Sequence, residues 1–327
     1  MHKCIDLSSE NEWDDALKGI RHSIFHTREY CKAIQLSGES KIFLYCFEKD
    51  DAKIICPLIE KEYVGYKDIC TPYGFSGFTG NKDFPDFPKY WDEFSRGKKY
   101  VCSYISINPL FQNNSYFSDN DAFSKASLYF IDLNVSLTEL FENLNSNRKR
   151  QLKNYKKTEA FFTYDKTEIT EFLIKNYYDF LKRINASQAN YFKTETLKQI
   201  CSLENTFAVG YKSDEEIISV YIFGYTKYCA DCLFNVSVVE GRQYTPFLLW
   251  CGVKYFRTKK IPVINLGGGS NTGDNIEQSK IRYGAYGLPF VNLKQIYFQD
   301  IYEKLCMEKK VSSDKSGYFP AYRKVIT

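Results

Sequence analysis

Short apolar runs with strand-like alternation take turns along this chain with longer stretches of helical period. Lys41–Phe47 and Ile54–Glu60 read as two strands joined by the turn Lys49-Asp50-Asp51-Ala52, and Pro57 inside the second run implies an edge or a bulge. Phe84–Phe94 is expected to be helical, with strands at Tyr104–Ile107 and Ser127–Leu133. Ser136-Leu137-Thr138-Glu139 forms a capping box and predicts one long helix to about Lys157. A strand at Ala160–Tyr164 leads to helices at Glu168–Arg183 and Thr194–Leu203, then to three strands, Thr206–Lys212, Ile217–Tyr225 and Cys229–Val236. Thr245–Arg257 is amphipathic with Pro246 in its first turn, which marks a helix start. Val263-Ile264-Asn265-Leu266 is a buried strand that runs into Gly267-Gly268-Gly269. Asp274 then stands as an N-cap before a short helix carrying Lys280 and Arg282. Val291–Phe298 closes as a strand and Ile301–Glu308 as a helix.

Strand pairs, a helix and a further strand occur twice in that order. This predicts an α+β chain of two mixed-sheet domains rather than a doubly wound parallel sheet. The break is placed near 134–136, giving domains 1–134 and 135–327, with Tyr318–Arg323 a candidate to pack back on the first.

Composition narrows the class. The 327 residues are 44% hydrophobic and 17% aromatic, with 27 Tyr and 26 Phe, which is the make-up of a packed chain with aromatic-lined clefts. A net charge of +4 is too mild to argue for DNA, yet it suits an anionic substrate. Eleven scattered cysteines lack disulfide-framework spacing, and Cys229-x-x-Cys232 has no second pair to complete a zinc site. Reduced thiols, no metal, no transmembrane segment and a cytoplasmic location are therefore expected.

Classical catalytic sets are absent. All three histidines, His2, His22 and His26, lie near the start, and no nucleophile elbow or HEXXH occurs. Carboxylates, Tyr, Lys, Arg and backbone groups remain, which favours group transfer between activated partners over hydrolysis. Three stretches could bind ligand. The glycines after Val263–Leu266 let backbone approach an anion closely, although a plain connection fits the same pattern. Asn147–Lys157 holds six basic residues and no acid, which reads either as phosphate binding or as a solvated basic face. Pro72-Tyr73-Gly74 with Phe75 and Phe78 offers stacking faces for a ring, or a structural aromatic turn.

These residues together resemble FemAB-like proteins of the GNAT acyltransferase superfamily. The likeness rests on Ile24-Phe25-His26-Thr27, Pro72-Tyr73-Gly74, Ile131-Asp132-Leu133, Asn147–Arg150, Arg183, Ala186 and Tyr191-Phe192. It closes on Asn265–Gly269, Asp274, Lys280 and Tyr283-Gly284. It implies two tandem GNAT-like domains and transfer of an acyl group to the amine of a cell-envelope or polysaccharide precursor, above all a nucleotide- or lipid-linked amino sugar. The alternatives are aminoacyl-tRNA-dependent addition to a peptidoglycan precursor and a non-catalytic sugar- or nucleotide-binding module. In this scheme Lys280, Asp274 and Asp231 are the catalytic candidates. Tyr73, Gly74, Arg148, Arg150, Arg183, Tyr191, Phe192, Gly267, Gly268, Gly269 and Arg282 bind substrate. Arg242 stands where the superfamily cradles coenzyme A pyrophosphate, but Thr245 and Phe247 replace the small residues of that loop and Pro246 removes a donor. Acyl-CoA, acyl carrier protein and aminoacyl-tRNA therefore all stay open as donors. No charged heptad hairpin of the kind carried by tRNA-using members interrupts Ala160–Phe256.

Overall fold

The computed structural model describes residues 1–38, 40–111, 115–268 and 275–324. They form a mixed α+β fold in two compact units, Met1–Lys125 with Phe290–Thr327, and Ala126–Pro289.

In the first unit the strands run in the order His2–Asp6, Lys41–Lys49, Ala52–Tyr63, Tyr66–Cys70, Tyr100–Ser106 and then the Asn292–Ile296 part of Tyr286–Ile296. All pairs are antiparallel except Tyr66–Cys70 with Tyr100–Ser106. Ala52–Tyr63 is an interior strand, contrary to the edge that Pro57 suggested. Pro57 pairs with Leu44 on one side. On the other it falls between the Ile54–Ile55 pairing to Thr79–Gly80 and the Ile59–Tyr63 pairing to Tyr66–Cys70. No ladder there needs the missing N–H, so the proline is accommodated. Helix Phe87–Gly97 lays Phe87, Trp91 and Phe94 on Tyr45, Phe47 and Phe78, an aromatic core in which each buried ring stabilises by about 2–3 kcal/mol. Tyr318–Arg323 belongs to this unit and ends in a 3₁₀ turn, not a strand: Tyr322 Oη and Arg323 Nε both donate to Asp68 Oδ2 at 2.8 Å.

The second unit orders its strands Ala122–Asp132 (through its Ala126–Asp132 part), Val263–Gly268, Ala230–Ser237, Glu216–Tyr225, Thr206–Ser213 and Phe162–Thr163. Only Ala230–Ser237 and Val263–Gly268 are parallel. Helix Thr245–Thr258 covers the face carrying Phe207, Val209, Tyr211, Tyr221 and Phe223. Helix Lys166–Arg183, capped by Asp165, brings Tyr177 against Phe234. The long helix expected from Ser136 to Lys157 is three short ones, Leu137–Glu142, Ser146–Leu152 and Tyr155–Glu159. An asparagine explains the first break, because its side chain competes for a backbone partner. Asn145 restarts the chain as an N-cap, its Oδ1 accepting from Arg148 N at 2.9 Å.

Candidate active-site cleft

The parallel pair of the second unit does not stay paired. Its register covers only Ala230 with Ile264 and Asp231 with Asn265, while the two strands continue to Ser237 and Gly268. A bulge leaves Leu233 extra between Phe234, opposite Ile222, and Cys232, opposite Phe223. The bulge bends the strand where its partner departs, and the strands open into a wedge. The cleft in that wedge has a volume of about 570 Å³ and reaches from Cys232 and Leu266 to Thr245 and Lys280. Its strand edges carry backbone donors and acceptors beyond the two paired positions, and such groups call for partners. At the far end Arg183 donates from Nη2 to Ser237 O.

Three cations, Arg148, Arg242 and Lys280, line the cleft, and among the described residues no acid does. Arg148 stands where Asn145 starts its helix. Its guanidinium lies 4.6 Å from the Tyr283 ring centroid, and Nη1 donates to Gln151 Oε1 at 2.7 Å. Among the described residues its buried Nε finds no hydrogen-bond partner, an uncommon state for a charged group. Burial pushes the Tyr283 hydroxyl up to about 12, against the pull of Arg148. Arg242 sits on the 3₁₀ turn Glu240–Tyr244 leading into helix Thr245–Thr258. Gly241 fixes that turn, because a Cβ there would lie 1.9 Å from Ile218 O.

The floor of the wedge is a hydrogen-bonded chain. Asp231 is fully buried, with Oδ1 accepting from Asn265 Nδ2 at 3.0 Å and Oδ2 facing the Cys229 thiol at 3.6 Å. Burial drives its carboxyl up to about 7. Asn265 Oδ1 in turn accepts from Gly267 N at 2.8 Å, and Gly267 takes the left-handed conformation at φ +76°. Lys280 Nζ donates to Gly268 O. Cys232 enters the cleft with Tyr221 Oη donating to it at 3.4 Å. Burial raises its thiol to about 12, so it is no thiolate at neutral pH.

Of the residues singled out in the sequence, Arg148, Arg242 and Lys280 meet in this cleft, Gly267 and Gly268 adjoin it through Lys280, and Asp231 lies beneath it on the face opposite Cys232. Phe192 is buried behind Phe234, and Tyr191 stacks on Tyr178 at 6.0 Å. Arg150 and Arg282 are exposed and outside the lining. Tyr73 and Gly74 belong to the other unit, where Tyr30 Oη donates to Tyr73 O at 3.1 Å and Gly74 lies against Phe25 at φ +115°. Gly269 and Asp274 fall outside the described residues. Sequence reasoning passed over Tyr221, Asn265, Gly241 and Tyr283 as site residues. Asn265 left a signal as a lone polar residue in a β-branched run, and Gly241 as the glycine before Arg242.

No family model and no curated protein matches this sequence. Solved structures do. FemX superposes with a TM-score of 0.68 at 11% identity, over 93% of this chain and 99% of its own. L-PGS from Bacillus licheniformis gives 0.57 at 12% identity, over 93% and 97%. A conserved protein of unknown function from Bacteroides thetaiotaomicron gives 0.57 at 10%, over 90% and 99%. The chain therefore shares the fold of FemX and of L-PGS. No described helix is long and apolar enough to cross a membrane.

Proposed function

We propose that this protein is an N-acyltransferase that passes an acyl group from an activated anionic donor to the amine of a cell-envelope precursor, a nucleotide- or lipid-linked amino sugar. Its two units are read as two GNAT-like domains, the second of which holds the donor. The observation that carries this reading is the wedge whose charged lining, among the described residues, is Arg148, Arg242 and Lys280, with the buried Nε of Arg148 finding no partner among them. An anion there would complete that hydrogen bond and meet Arg242 as well. An extended, amide-bearing donor arm would pair with the strand edges between Cys232 and Ser237.

In the reaction the neutral amine nitrogen attacks the acyl carbon. The new N–C bond forms, the C–S or C–O bond to the donor breaks, and the amine proton leaves to water while the departing sulfur or oxygen is protonated. Lys280, tethered to Gly268 O, places its positive charge where the acyl oxygen becomes negative. Asp231 acts through Asn265, which it orients beneath the glycine turn.

Calorimetry with acetyl-coenzyme A, a charged tRNA and a UDP-amino sugar tests this. Micromolar donor binding that weakens at least about tenfold in Arg148→Ala and in Arg242→Ala is expected. Binding of none of these anions, or binding indifferent to both substitutions, would refute it. The aminoacyl-tRNA reading draws on a separate observation, the exposed Arg150, Lys153, Lys156 and Lys157 along 146–159. It predicts that tRNA is retained and coenzyme A is not, with steep salt dependence.

A further inference from the structure

A second cavity of about 470 Å³ opens at the other end of helix Thr245–Thr258 and shares no lining residue with the first cleft. Lys254 and Tyr255 face it from that helix, and Tyr155 and Glu159 face it from one side of helix Tyr155–Glu159. Phe207, Tyr164, Cys251 and Thr258 complete the walls. Tyr255 stacks flat on Phe207, with centroids 3.9 Å apart at 8°. Glu159 Oε1 accepts from both Lys254 Nζ at 2.9 Å and Tyr155 Oη at 3.0 Å, and Lys254 Nζ sits 4.4 Å from the Tyr155 ring centroid.

This arrangement selects against charged ligands. The protein's own ammonium already covers the Tyr155 face, so a cation finds that place taken. Glu159 neutralises the ammonium, so an anion gains little. A flat uncharged ring suits what is left: aromatic faces to stack on, further N–H groups on Lys254 as donors, and a second Glu159 oxygen as acceptor. The edge of a nucleobase offers both an acceptor and a donor to such a pair. Tyr164, 51% exposed, lines the cavity with its hydroxyl 3.5 Å from Cys251 Sγ and adds a ring face to it.

We infer that this cavity is a nucleobase-binding site, stacking the base against Tyr164 and Tyr255 and reading its edge with Glu159 and Lys254. Saturation-transfer NMR on the full chain with adenosine, guanosine, cytidine and uridine, and with benzyl alcohol as a ring lacking that edge, tests it. At least one nucleoside should bind saturably and about tenfold more tightly than benzyl alcohol. Tyr164→Ala and Glu159→Gln should each weaken it about tenfold, with circular dichroism unchanged. No saturation transfer from any nucleoside, or binding unaltered in both variants, would overturn the proposal. So would nucleoside binding abolished by Arg148→Ala yet untouched by Tyr164→Ala, because the base would then sit in the first cleft.

Discussion

Acid should act on the two units in opposite directions. In the first unit His26 is fully buried. Its Nε2–H donates to Gly77 O at 3.1 Å, and Nδ1 accepts from Ser23 N at 3.3 Å. Those partners satisfy a neutral ring, and Ser23 Oγ lies 3.1 Å from Nδ1 as well. Burial, with His22 nearby, lowers the ring from 6.5 to about 3. The unfolded chain therefore binds this proton first, so stability is intact above pH 6.5 and is lost as pH falls. In the second unit Asp231 is raised from 3.8 to about 7, so the folded state binds the proton first and stability grows as pH falls from 7 towards 3.8. At about 1.4 kcal/mol per pH unit, moving from pH 7 to pH 5 removes about 2 kcal/mol through His26 and adds about 2 kcal/mol through Asp231. Ordinary carboxylates titrate below this window, and His2, lowered mainly by burial, adds to the loss in the first unit. Hydrogen exchange resolved by peptide, corrected for intrinsic rates, reads each unit separately. Opening energies should fall around Ile42–Phe47 and rise around Val220–Phe223, and Asp231→Asn should flatten only the second trend. If both units shifted the same way, or if Asp231→Asn left the rise in place, the account of these two buried groups would be wrong.

Other substitutions probe the supports of the cleft. Gly241→Ala drives a Cβ against Ile218 O and should cost about 3 kcal/mol, lowering Tm and displacing Arg242 from the donor site. Asn145→Ala removes the cap that starts the Arg148 helix. It should cost about 1 kcal/mol in denaturant unfolding and weaken anion binding with it; unchanged stability would show the cap to be idle. Tyr322→Phe strips one donor from buried Asp68 and should destabilise the first unit by about 1.5–3 kcal/mol, seen as faster exchange across Tyr66–Cys70.

Local chemistry alone determined most elements. The Lys41–Tyr63 hairpin, the three strands from Thr206 to Ser237 and the helix opened by Pro246 follow from period and turn residues within a few positions of each other. Asn145, whose cap restarts the chain within 136–157, is equally present in the sequence, where helical spacing on either side of it hides the break. What the sequence could not decide was the cleft. The wedge exists because Ala230–Ser237 and Val263–Gly268, distant in the chain, pair at two positions and then part around a bulge at Leu233. Arg148, Arg242 and Lys280 become one charged surface only through that packing. Asp231 offered the sequence a carboxylate like any other. Its burial and its bond to Asn265, set by sheet register, give it a proton affinity near neutrality. Periodicity records which face a residue takes in its own element, whereas the environment that shifts a charge is built from segments far apart in the chain.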